Sequence, residues 1–164
     1  MLEVFTVFHV AISVTGIVSG LIVLSGLLKL NPMQGWTKLF LATTAATSIT
    51  GFLFPFHGFT PAIGLGIMSV LILAIAYAAR YRFHMKGSWR KTYVITAVLA
   101  LYFNCFVLVV QSFQKIPALH DVAPTQSEPP FQIAQLAVLL LFIALGTFAT
   151  IRFGRAPRAA GAHA

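Results

Sequence analysis

The chain has 164 residues, of which 59% are hydrophobic and only 9% charged, with a formal net charge of +8 and a mean hydropathy of +0.90. This composition excludes an ordinary soluble domain and a disordered chain, which needs low hydrophobicity. The positive charge is not gathered on a soluble basic face, so nucleic acid is excluded as a partner. The single cysteine, Cys105, excludes an intramolecular disulfide and a CxxC redox pair.

Charged side chains divide the sequence. None occurs over Val4–Leu28, Leu39–Ala79, Thr92–Gln114 or Pro129–Ile151, and a helix crossing the hydrocarbon needs about 20 apolar residues. The long second run is broken by Pro55, Gly58 and Pro61 and so reads as two helices joined by a tight turn. The sequence predicts an all-α bundle of five transmembrane helices at 4–28, 37–57, 61–80, 92–114 and 131–152. Residues 1–153 form one domain, and 154–164 are expected as a disordered basic tail facing anionic lipid. A re-entrant hairpin between Lys38 and Arg80 gives the same charge distribution; full crossing is preferred because each arm is long enough to span.

On the first helix Thr6, His9, Ser13, Gly16 and Gly20 fall on one stripe. The GxxxG step in this stripe permits close backbone approach, so the face should pack against protein. It is followed by positive charge instead of being preceded by it, as expected for an uncleaved first helix with its N-terminus outside. On the second helix Thr43, Thr47, Thr50, Phe54 and His57 repeat the pattern, and Pro55 should kink or unwind the outer end just before His57. The fourth helix carries Asn104, with Gln111 seven residues on, and the fifth opens with Gln132 and Gln135. Intramembrane amides and hydroxyls of this kind usually bond across helices.

Five crossings place ten of the eleven Lys and Arg residues on one side and only Lys115 on the other, together with all three acids, Glu3, Asp121 and Glu128. The Lys/Arg-rich side is therefore expected to be cytoplasmic, with the C-terminus inside. The loop from Lys115 to Pro130 contains four prolines and reads as an extended, stiff connector. Apart from Lys38, Arg80 and Arg152 at the very ends of their spans, no Asp, Glu, Lys or Arg lies inside a proposed span, which counts against ion pumping. Hydrolytic and nucleotide motifs are missing as well, so no catalytic residue is assigned.

His9, His57 and His120 all fall on the outer side. Imidazoles from adjacent helices can hold a haem b iron or half of a metal site, and His120–Asp121 adds a further ligand or an orienting carboxylate. Two other readings stay open: interfacial histidines bonded to carbonyls freed by Pro55 and Pro61, and a quinone or lipid-headgroup pocket. The stretch Gly51–Pro61, GFLFPFHGFTP, with Ala123–Phe131, APTQSEPPF, resembles a family of small, uncharacterised multi-pass inner-membrane proteins of Gram-negative bacteria. That resemblance covers most of the chain and implies a location, without an activity or a site residue. The function expected is a non-catalytic accessory subunit or homo-oligomer in the membrane. The alternatives are a single-centre redox or quinone-interacting protein using His9 and His57, and a small-solute channel or carrier.

Overall fold

In the computed structural model, residues 2–31, 33–55 and 61–155 are described. They form α1 (Leu2–Leu28), α2 (Gln34–Gly51), α3 (Pro61–Tyr77), α4 (Trp89–Lys115), α5 (Pro117–Val122) and α6 (Pro129–Arg155), with a π-helical turn at Ala78–Arg82 after α3. No strand occurs among the described residues. The protein is all-helical, and α1, α3 with its π-helical turn, α4 and α6 are each long and apolar enough to cross a membrane. Lys38 and five threonines make α2 more polar than these four. Its 18 residues nonetheless extend ~27 Å at 1.5 Å per residue.

Side-chain pairs give the helix directions. Gly20 of α1 lies against Phe40 of α2, Gly16 against Thr43 and Thr44, His9 against Thr50, and Phe5 against Phe54 beyond the helix end. Thus α1 and α2 are antiparallel and in contact over nearly the whole of α2. Gly20 also faces Leu101 and Gly16 faces Asn104, which makes α4 antiparallel to α1 and hence parallel to α2. Along α6, Phe131 meets Phe113, Gln135 meets Phe106, Gly146 meets Val98 and Phe153 meets Arg90. This pairing is again antiparallel, and α4 is the helix around which the others are arranged.

Three sequence expectations are corrected. The second helix ends at Gly51, not near residue 57, and Phe52 and Leu53 close a tightened turn on the Ile49 and Thr50 carbonyls. Pro55 disfavours helical backbone at the residue before it and offers no N–H, so the helix stops a turn early. The third helix does not end simply at residue 80; it widens into the π-helical turn, where the Phe83 N–H donates to the Ala78 carbonyl at 2.9 Å. The connector after Lys115 is not merely extended, since it contains α5. Ile116 is held in extended backbone ahead of Pro117, and Pro117 supplies the first helical position.

Burial is concentrated at one end. Val23, Leu24 and Leu27, Phe40 and Leu41, Leu73 and Ala76, Tyr93 and Val94, and Phe153 are all nearly inaccessible. They occupy the half of the bundle that carries Lys29, Lys38, Arg80, Lys91 and Arg152. In the opposite half α1 leaves Val4, Val7, Phe8 and Val10 exposed, and His9, Ser13, Thr47 and Thr50 are only half-buried.

Candidate functional site

The seam between α1 and α2 holds most of the polar groups singled out by spacing. Thr50 Oγ1 donates its one proton to the Ala46 carbonyl at 2.7 Å, so towards His9 it can only accept. The 2.8 Å contact between His9 Nδ1 and Thr50 Oγ1 therefore places the imidazole proton on Nδ1. In the neutral ring this leaves the Nε2 lone pair as the available acceptor. An imidazole held at Nδ1–H, with its Nε2 lone pair unprotonated, is in the tautomer that Nε2-ligating histidines adopt. The Phe54 ring stands edge-on to it at 5.2 Å, and a Cβ at Gly51 would lie 3.8 Å from His9 Cε1, in ordinary van der Waals contact.

One turn deeper, Ser13 Oγ donates to the His9 carbonyl at 2.7 Å and lies 3.4 Å from Thr47 Oγ1. A further turn in, three helices converge. Asn104 Nδ2 of α4 donates to Thr44 Oγ1 of α2 at 3.2 Å, and both groups face Gly16 of α1. Thr43 Oγ1 donates to the Leu39 carbonyl at 2.7 Å, and its oxygen lies 3.3 Å from where a Gly16 Cβ would stand. At Gly20 the approach is closer still, with Leu101 2.5 Å and Phe40 2.8 Å from a built Cβ. The small-residue stripe is thus spent inside the chain, between α1, α2 and α4.

The remaining candidates are placed differently. Gln111 is exposed, outside the Asn104 junction. His120 is exposed on α5, which packs against α4. His57 lies outside the described residues, as do His163 and residues 156–164 of the expected tail. No group of three His, Cys, Asp or Glu side chains able to hold a metal ion occurs among the described residues.

Two features escaped the reading of spacing. At the cationic end the Arg80 guanidinium lies over the rings of Tyr93, at 5.2 Å, and Tyr81, at 5.8 Å, while Arg90 lies 4.5 Å over Phe153. The interleaving of Arg and Tyr was visible, but the π-helical turn that aims Arg80 has no sequence signal. At the other end Glu128, just before α6, accepts from the Thr125 N–H at 3.1 Å, the Thr125 hydroxyl at 2.8 Å and the Ser127 N–H at 3.1 Å. Desolvation works the other way, but these hydrogen bonds outweigh it and hold the Glu128 carboxyl below its ordinary range.

Between α4 and α6 runs a groove of about 400 Å³ lined almost wholly by apolar side chains, from Ile95 and Ile151 at one end to Tyr102 and Leu139 at the other. No family model matches the chain, and neither a curated protein nor a solved structure is detectably similar to it.

Proposed function

We propose that this protein is a non-catalytic accessory subunit of a membrane complex, crossing the Gram-negative inner membrane five times with its N-terminus outside and its C-terminus cytoplasmic. The observation that carries the reading is the state of α6. Only 11% of its most apolar stretch is buried within the chain, against 39% for α4. A narrow stripe of Phe142, Ala149 and Phe153 docks it, and Ala137, Leu141, Ala144 and Phe148 form an exposed row away from that stripe. Small residues at such a row let a partner helix approach closely. The partner is another membrane protein or a second copy, since the chain's own GxxxG step is already filled.

Five crossings are supported by register. α2 runs beside α1 from the level of Phe40 opposite Gly20 to Thr50 opposite His9, and this alignment supports a crossing to the same depth as the helix it packs on. A shallow re-entrant arm would leave one end of α1 unaccompanied. Orientation is supported by the Lys/Arg bias.

Ala144→Phe and Ala137→Phe test the interaction reading, because both side chains are exposed and neither change disturbs the interior. Each is expected to shift migration or partner recovery on native gels of gently solubilised membranes. Unaltered complexes in both variants would remove α6 as the interaction face.

A second reading, a single-centre haem b or quinone-interacting protein, is favoured by one observation, the His9 Nδ1–Thr50 Oγ1 contact that leaves the Nε2 lone pair as acceptor. It predicts reduced-haem bands in the visible spectrum of protein purified from its native membrane after dithionite, lost in His9→Ala with accumulation unchanged. Identical spectra in the two proteins would sink it.

A further inference from the structure

We propose that the α4–α6 groove is a binding site for one anionic phospholipid from the cationic-side leaflet, its acyl chain lying in the groove and its headgroup held by Lys91. The site rests on the reading that these helices span a bilayer, and concerns a flank of α6 other than the Ala137–Phe148 row.

The groove has a definite shape. From Leu139 to Ile151 it follows α6 for about 18 Å at 1.5 Å per residue. Near its middle Gly146 brings the two helices together, since a Cβ there would meet Val98 Cγ1 at 3.0 Å. Its inner end is stopped by Tyr102, whose ring packs on Phe142 at 5.8 Å and on Phe106 at 6.2 Å. An acyl chain laid along the groove therefore ends at Tyr102 and runs out towards Ile95 and Ile151. Lys91 is exposed and precedes Ile95 by one helical turn, so it stands on the groove side of α4. Its side chain leans towards the α4 N-terminus and away from the hydrocarbon, so the ammonium reaches headgroup depth.

Charge identifies the occupant. The groove opens at the end of the bundle that carries nine of the ten described Lys and Arg residues, whereas Glu3, Asp121 and Glu128 lie at the other end. A phosphate with no ammonium beside it suits that field better than a zwitterionic headgroup. A second copy inserted in the same orientation would bring its own Lys91 and Arg152 against these cations, which disfavours a dimer here.

The experiment is native mass spectrometry of the full chain released from nanodiscs of equimolar phosphatidylglycerol and phosphatidylethanolamine. One retained phosphatidylglycerol per chain is expected, at a preference of about fivefold for a single cation near the phosphate. Lys91→Gln should remove the preference while lipid is still retained. Thr147→Trp, which fills the groove from its exposed wall, should remove the retained lipid, and Ile143→Phe provides the same occlusion if that variant does not fold. Equal retention of both lipids by the unmodified protein overturns the site, as does retention unchanged in both occluded variants. A lipid-free dimer lost on Thr147→Trp overturns it in favour of a second copy. Release of the protein from membranes by alkaline carbonate would instead overturn the membrane-spanning reading beneath it.

Discussion

Gly16 and Gly20 share one stripe but meet different surroundings. A methyl group at Gly20 would press into Leu101 and Phe40 at 2.5 and 2.8 Å, whereas at Gly16 the nearest atom is Thr43 Oγ1 at 3.3 Å. Overpacking of a tight interior costs about 1–3 kcal/mol. Gly20→Ala should therefore lower the thermal midpoint in detergent clearly, and Gly16→Ala by much less; equal losses would show that the α1–α4 approach is looser than described. Thr50 presents a different kind of dependence. Thr50→Val removes the acceptor for the His9 Nδ1–H and should cost about 1 kcal/mol, in the range of interhelical hydrogen bonds. Thr50→Ser should restore both the stability and the Nδ1–H tautomer read by nitrogen NMR of the imidazole. A tautomer unchanged by Thr50→Val would mean that something else fixes the ring.

The turn after α3 shows how an element can aim a side chain that its sequence leaves unplaced. One wide π-helical turn at Ala78–Arg82 sets Arg80 over the buried ring of Tyr93. Cation–π contacts contribute about 0.5 to 2 kcal/mol, more when desolvated. Arg80→Gln should lower stability within that range, and pairing it with Tyr93→Leu should show a coupling in a double-mutant cycle. Additive losses would deny the contact any energy of its own.

The entry to α6 depends on pH instead. Because the folded Glu128 carboxyl sits below its ordinary range, its contribution is fully present above the unfolded carboxylate pKa. It is lost as pH falls through the lower folded value. Amide exchange at Thr125 and Ser127 should accelerate only below the usual carboxylate range, and Glu128→Gln should abolish that pH step. A step centred at or above the ordinary Glu pKa would contradict the hydrogen-bonded geometry.

The arrangement of the bundle makes a topological prediction. In a Cys105→Ser background, a cysteine replacing Leu53, which is exposed beyond the end of α2, should react with an impermeant thiol reagent from outside intact spheroplasts. One replacing Lys86 should react only after permeabilisation. Labelling of both from the same side would convert α2 and α3 into a re-entrant pair and remove one crossing from each arm. The proposed orientation rests on the Lys/Arg bias, and the proposed crossing of α2 on its alignment along α1; the labelling tests both.

Composition alone specified much of this protein, because a helix that buries its backbone hydrogen bonds in an apolar stretch is the only inexpensive arrangement for such a chain. The positions of the long helices follow from where charges stop, and the polar stripe of His9, Ser13, Gly16 and Gly20 follows from helical spacing. Which stripe meets which is a different matter. Spacing marks Asn104 and Gln111 alike, yet only Asn104 reaches Thr44, because the depth at which α4 crosses α1 depends on the fit of Leu101 and Phe40 against Gly20. The early end of α2, the π-helical turn and the groove beside Gly146 likewise belong to packing. Each depends on how neighbouring helices settle against one another, and no local pattern records that. The sequence decides what must be buried and where the chain must turn; the tertiary structure decides the partners, since these are set by contacts between residues far apart in the chain.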